Sequence, residues 1–324
     1  MSFDLQQTAW KSLIEKVERL PHSLLLHGPA GVGKLALAER FAQLLLCERR
    51  GQGTEPCGRC DACRWFLAGN HPDARFLEPE ALARHAARED EAEEEGRAKG
   101  KPSTEIKVEQ VRALGDFVHV GSHRGGRRVA IVHPAEDMNA TAANALLKSL
   151  EEPPPAAVFL LVSHRPARLL PTVRSRCVPV PVPLPEAGAA TAWLAKQGVR
   201  EAARWLAFAG GAPRRALDYA TGERGAAIER MLRALAAGEG AALGAVKDRE
   251  DLEVLAEILQ KLALDRSFSA FAGRSKYSAG PGSVTGDAHA WLAYARAMGA
   301  NRQLARHPLN PQLFAGELLA GIPR

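Results

Sequence analysis

Along the first half of the chain, short unbroken apolar runs take turns with segments in which apolar residues recur every three or four positions. The runs are residues 24–26, 128–132 (four apolar residues after Arg128) and 158–162, with short strands also expected at 74–77, which carries Arg75, and at the proline-laced 178–182. The runs 128–132 and 158–162 have the length and composition of strands buried on both faces. Between them the spacing predicts helices at residues 8–20 (Leu13, Val17 and Leu20 on one stripe), 34–46, about 106–121 (Ile106, Val108, Val111, Leu114) and 139–151. The last of these is stopped by Pro153-Pro-Pro155. Strands alternating with helices predict a parallel sheet covered on both faces. After Pro185 the strand pattern ends. Short helices are expected across 186–220, then longer Ala/Leu-rich ones at 228–235, 252–264, 288–298 and 311–319, broken at Gly280-Pro-Gly282. The expected plan is an α/β domain (1–183), a small helical domain (184–222) and an all-α domain (223–324).

The first strand runs into Gly28-Pro-Ala-Gly-Val-Gly-Lys34 and then a helix. Strand, glycine-rich turn and helix are the context of a phosphate-binding loop. Backbone N–H groups around Gly31 and Gly33 cradle phosphate oxygens, and Lys34 reaches the outer ones. The pattern G-x-x-x-x-G-K-[ST] is met from Gly28 to Lys34 and then fails: Leu35 stands where a hydroxyl would ligate Mg²⁺. An ATPase also needs an acid at the end of a second buried strand. After residues 129–132 come His133 and Pro134, which cannot serve, and Glu136 and Asp137 read as surface acids opening a helix. Hydrolysis by this loop is not expected, and Mg²⁺ is not an expected cofactor. Whether the loop holds ATP or ADP stays open.

Composition narrows the setting. The 324 residues are 25% charged and 46% hydrophobic with a formal charge of +6, which permits nucleic acid nearby without requiring it. No run approaches the roughly 20 apolar residues of a membrane span. Residues 1–5 carry neither a basic start nor an apolar signal core, so a cytoplasmic location and no membrane partner are expected. Four of the five cysteines, Cys47, Cys57, Cys60 and Cys63, follow C-x9-C-x2-C-x2-C. Four thiolates so spaced suit a closed tetrahedral Zn²⁺ site with a structural role, ahead of an iron–sulfur cluster. The stretch 80–104, with its acidic run EDEAEEE at 89–95, has almost nothing to bury and reads as a solvated, disordered insertion.

Several segments resemble the clamp-loader branch of the AAA+ ATPases of bacterial DNA polymerase III. They are residues 27–35, 105–112, 142–154, 159–161 and Arg174-Ser-Arg-Cys177, together with the cysteine module after the loop helix. The resemblance spans about residues 6–220. It implies an AAA+ domain with a zinc module (47–63), a helical lid and a helical collar. The degraded nucleotide site fits a non-hydrolysing subunit better than the gamma/tau motor, which is the alternative. In the family, the arginine of Ser175-Arg176-Cys177 acts in trans on ATP held by a neighbour. Arg214, in Gly211-Ala-Pro-Arg214, would sense nucleotide, and Lys148 would contact primer–template DNA. From the residues alone, a domain-edge salt bridge at Arg176 and a pairing of Lys148 with Glu151 or Glu152 stay open. The implied partners are gamma/tau and delta subunits, the sliding clamp and primed DNA. A zinc-dependent nucleic-acid-binding protein with a vestigial loop is the rival from another class. It draws on Arg59, Arg64, Trp65 and Phe66.

Overall fold

A computed structural model describes residues 3–51, 53–82, 102–121, 126–277, 287–305 and 309–323. The chain divides into two compact units, Met1–Leu184 and Pro185–Arg324.

In the first unit, α1 (Gln7–Glu15) leads to β1 (Ser23–His27), α2 (Lys34–Leu46), α3 (Asp61–Leu67) and β2 (Ala74–Leu77). Next come α4 (Val108–His119), β3 (Arg128–Val132), α5 (Ala140–Glu151), β4 (Ala157–Ser163), α6 (Pro171–Ser175) and β5 (Val178–Pro181). The five strands form one all-parallel sheet in the order β2-β3-β4-β1-β5. Every residue of β3 and β4 is buried, as their unbroken apolar runs require of central parallel strands. Leu25, Val132, Phe159 and Leu161 join Val111, Leu114, Leu146 and Val173 in one core, and Cys177 is part of that packing. Helix α5 opens on Asn139, whose side chain accepts from the Ala142 N–H at 2.9 Å. Helix α1 ends five residues earlier than its apolar stripe predicts. Lys16 and Val17 N–H turn back to Leu13 and Ile14 carbonyls, and the chain heads for Pro21 and β1.

The charged stretch predicted to be disordered lies, at residues 83–101, outside the described residues. Its two flanks are held together. The Glu80 carboxylate accepts from the Ser103 N–H at 3.0 Å and pairs with the Lys107 ammonium at 2.6 Å, and Ala81 N–H donates to the Ser103 carbonyl at 3.0 Å.

The second unit is all helical: α7 (Ala187–Lys196), α8 (Ala202–Phe208), α9 (Pro213–Thr221), α10 (Glu223–Ala237), α11 (Glu239–Ala245), α12 (Arg249–Ala272), α13 (Ala288–Leu304) and α14 (Pro311–Ala320). One core runs through it, from Ala190 and Leu194 through Trp205 and Leu255 to Leu318. Helix α12 is longer than predicted. Asp248 caps its start, Gly273 ends it at φ 66°, and buried Asp265 accepts from the N–H groups of Lys276 at 2.8 Å and Tyr277 at 2.6 Å. At its centre, buried Glu257 meets the Tyr219 hydroxyl at 2.5 Å, the Arg224 guanidinium at 2.7 Å and the Lys261 ammonium at 2.7 Å. The ammonium of Lys261 also lies over the Phe208 ring, 3.7 Å from its centroid. The break at residues 280–282 lies outside the described residues.

Candidate functional site

The glycine-rich loop leaves the carboxyl end of β1, where a parallel sheet presents its ligand crevice. Gly28 (φ 153°), Gly31 (φ 81°) and Gly33 (φ 99°) all take positive φ values, a backbone that glycine adopts at little cost. At Gly28 the approach is closer still: a Cβ there would meet the Val182 carbonyl oxygen at 2.2 Å. Lys34 is 2% exposed, and its ammonium donates to the carbonyls of Gly28 at 2.8 Å and Pro29 at 2.6 Å. The lysine thus closes the loop upon itself. Burial and the Lys34 charge together hold the His27 imidazole below its ordinary range. Gln6, unremarked in the sequence, braces the loop from outside by donating to the Val32 carbonyl at 2.8 Å. Leu35 is buried.

Polar groups fill the carboxyl ends of β2, β3 and β4. His133, buried, lies 3.7 Å from the Glu78 carboxylate, and its ring stands edge-on to that of His164, centroids 5.3 Å apart. Glu136 corrects the reading of it as a surface acid. Its side chain is fully buried and accepts from the His164 N–H at 2.9 and 3.2 Å, within the short turn Ala135–Asp137. Burial pushes this carboxyl up, but hydrogen bonds from its own N–H, Ser163 and His164 outweigh it and hold the group ionised below its usual range. Asp137 is pushed up by burial and by the Glu136 charge. Glu136 closes the turn after β4 and so is spent on structure. A buried acid in a short turn cannot be told from a surface acid by spacing.

The four cysteines converge. Their sulfur atoms all lie within 4.8 Å of one another, with Cys47–Cys60 at 3.9 Å and Cys57–Cys63 at 4.0 Å. A tetrahedron with metal–sulfur bonds of about 2.3 Å has edges of about 3.8 Å, so the thiols fit a four-coordinate ion. Backbone N–H groups point at the sulfurs in sequence: Cys57 to Cys47 at 3.4 Å, Cys60 to Cys57 at 3.3 Å and Cys63 to Cys60 at 3.4 Å. Gly58 makes the turn at φ 70°. The N–H groups of Arg59 and Cys60 bring the Cys57 thiol down to about 6, whereas burial pushes Cys47 and Cys63 up. A cation bound among them would stabilise all four as thiolates. Cys47, Cys57, Cys60 and Cys63 are therefore placed to hold a metal ion, and the chemistry it would supply is cross-linking of α2 to α3.

Arg176 follows α6. Its guanidinium pairs with Glu151 at 2.6 Å and donates to the Thr172 carbonyl at 2.9 Å, and its own carbonyl accepts from the Ser23 hydroxyl at 2.6 Å. The domain-edge salt bridge foreseen for this arginine is present. It takes Glu151, one of the two acids considered for Lys148, which is exposed on α5. Ser163 is buried at the end of β4. Arg214 belongs to the second unit and is exposed in the first turn of α9. Among the described residues, no helix is long and apolar enough to cross a membrane.

Among known proteins, the chain is 47% identical over 212 residues to the DNA polymerase III subunit delta' of Pseudomonas aeruginosa, a match covering 64% of this chain and 58% of that protein. With the Escherichia coli protein of the same name it shares 35% identity over 219 residues, 66% of this chain and 59% of that one. The chain thus spans little more than half the length of these relatives. A solved Thermotoga maritima protein, a DNA polymerase III gamma subunit-related protein, aligns over 96% of this chain and 97% of its own with 16% identity and a TM-score of 0.47. The sequence model of the family described as DNA polymerase III, delta subunit, matches residues 5–185, which is the first structural unit almost to the residue. The chain belongs to that DNA polymerase III delta subunit family.

Proposed function

We propose that this chain is a delta-prime-type subunit of a bacterial clamp loader, a stator that hydrolyses no ATP itself. In this reading it lends Arg176 to ATP held by a neighbouring gamma/tau subunit, while gamma/tau and delta complete the assembly that loads the sliding clamp on primed DNA. The observation that carries the reading is the nucleotide site. Lys34 is engaged by the carbonyls of its own loop, Leu35 follows it, and His133–Pro134 ends the strand where an Mg²⁺-binding acid is required. Identity with relatives named delta' supports it independently.

The same reading assigns the remaining roles. The four cysteines hold a structural Zn²⁺, the ion that four thiolates at tetrahedral spacing suit best. Lys148, exposed on α5, is a contact for primer–template phosphates. Arg214 in α9 meets nucleotide if the loop binds any. Residues 184–222 act as the lid and 223–324 as the collar.

The test is reconstitution with motor and delta subunits. A guanidinium on a transferring phosphoryl group contributes on the order of 10³–10⁵ in rate, so Arg176→Ala lowers clamp- and DNA-stimulated ATPase at that site by about 10³ or more. Unchanged turnover removes the arginine from the mechanism. Hydrolysis by the isolated chain that Lys34→Ala abolishes would instead make it a motor.

A further inference from the structure

The amino ends of β3, β4 and β1 lie side by side, at the pole of the sheet opposite the glycine-rich loop. There the residues leading into each strand line an open pocket of about 420 Å³. Arg19 and His22 come from the approach to β1, Arg127 from the residue before β3, and Pro154 and Ala156 from the turn into β4. We propose that this pocket is an oxyanion-binding site that takes a phosphate group between the Arg19 and Arg127 guanidinium groups.

Four observations bear on it. Arg19 and Arg127 have no ion-pair partner among the described residues, although Arg127 is half-buried. Burial and the charge of nearby Arg50 both act against the Arg127 cation, so an anion in the pocket relieves a penalty that nothing else offsets. The Nε2 of His22 is buried without a hydrogen-bond partner. Ala156 holds φ 64°, one of two non-glycine residues with positive φ among those described, and such strain concentrates at sites of ligand contact. The walls are fixed by the first rungs of the sheet: Phe159 N–H donates to the His22 carbonyl at 2.7 Å and Arg128 N–H to the Ala156 carbonyl at 3.0 Å. Two planar guanidinium forks suit a doubly charged phosphate better than a single carboxylate. Glu18 also lines the pocket, exposed, and its charge opposes the anion.

The site draws nothing from the proposed stator role, and the test uses the full chain alone. Inorganic phosphate is titrated at low ionic strength and followed by calorimetry. Arg127→Gln should weaken binding at least tenfold and Arg127→Lys by less, while Glu18→Gln should tighten it about threefold; the gain in the last variant does not depend on a variant that folds poorly. Competition then separates the sources. Displacement by a single-stranded oligonucleotide lacking terminal phosphate assigns the site to a nucleic-acid backbone, and displacement only by a 5′-phosphorylated one assigns it to a phosphate monoester. Phosphate binding that survives Arg127→Gln but is lost in Lys34→Ala puts the anion on the glycine-rich loop and overturns the proposal. So does a pocket that takes an acidic peptide, with Arg127 dependence, but no phosphate.

Discussion

At the scale of single residues, the most consequential contact is the one that occupies Arg176. In the isolated chain its guanidinium is spent on Glu151 and the Thr172 carbonyl. A trans-acting arginine must leave at least the first of these to reach a neighbour's phosphate. Glu151→Gln removes the competing charge, so the reconstituted ATPase is expected to hold its rate or rise severalfold, with thermal unfolding of the chain unchanged. A fall in rate with a lowered melting temperature would make Glu151 a structural partner only. Glu257 is the opposite case, a charge that cannot be spared. Burial pushes its carboxyl up, but Lys261, Tyr219 and Arg302 outweigh it and hold it below the usual carboxylate range. Its folded pKa is depressed, so the stability it contributes is present above the unfolded value of about 4.3 and is lost as pH falls below that toward the folded one. Glu257→Gln should cost about 3–5 kcal/mol, the range for breaking a buried pair, and should flatten the acid limb of a denaturant–pH series. The cysteines and the loop lysine were legible as residues because their chemistry depends on short spacing. Glu78, His164, Glu136 and Gln6 were not, because each acquires its role from a partner distant in sequence.

At the scale of elements, the strands and the longer helices of the sheet unit were readable from the pattern, because central parallel strands are apolar runs and the helices between them carry a stripe, whereas the short α3 and α6 were not. Lengths were less so. Helix α1 is cut short by the turn into β1, and α12 is extended by capping at both ends, and neither effect is visible in apolar periodicity. The link between α2 and α3 is a different kind of element, held by the four sulfurs, by the Arg40–Glu55 ion pair and by Gln43 donating to the Cys63 carbonyl at 3.5 Å: the cluster of Cys47, Cys60, Cys63 and Ala62 is small and apart from the sheet core. Chelation, or Cys63→Ser, should release one equivalent of metal and open this link to limited proteolysis near residues 51–58, with the sheet's circular dichroism retained. Retained protection without metal would show that packing suffices. Gly28→Ala tests the loop's seat. Its Cβ meets backbone at a distance no side-chain motion relieves, and the loss expected is about 3 kcal/mol, at the upper end of ordinary single substitutions. Chemical denaturation gives the value.

At the scale of the whole chain, the family match and the first structural unit end together near residue 185. The sheet unit up to that point was legible both as fold and as family. Past the Gly211–Arg214 motif the helical unit was legible only as helical, because Ala/Leu-rich amphipathic segments specify packing in general and no particular partner. The two units have separate cores, so Glu257→Gln should shift one part of the unfolding curve and Gly28→Ala another, as probes placed in each unit would register. A shift of both by either substitution would mean that they unfold as one.

The clasp of Glu80 on Ser103 and Lys107 has a practical corollary. It brings the two flanks of residues 83–101 to within hydrogen-bonding distance, so the sheet registers only a closed junction there and is indifferent to how much chain lies between. Doubling the length of such a connection costs only about 0.6 kcal/mol. The position is therefore a natural port: a fluorescent reporter or an affinity tag could be spliced between residues 83 and 101 while Glu80, Ser103 and Lys107 keep the fold shut beneath it.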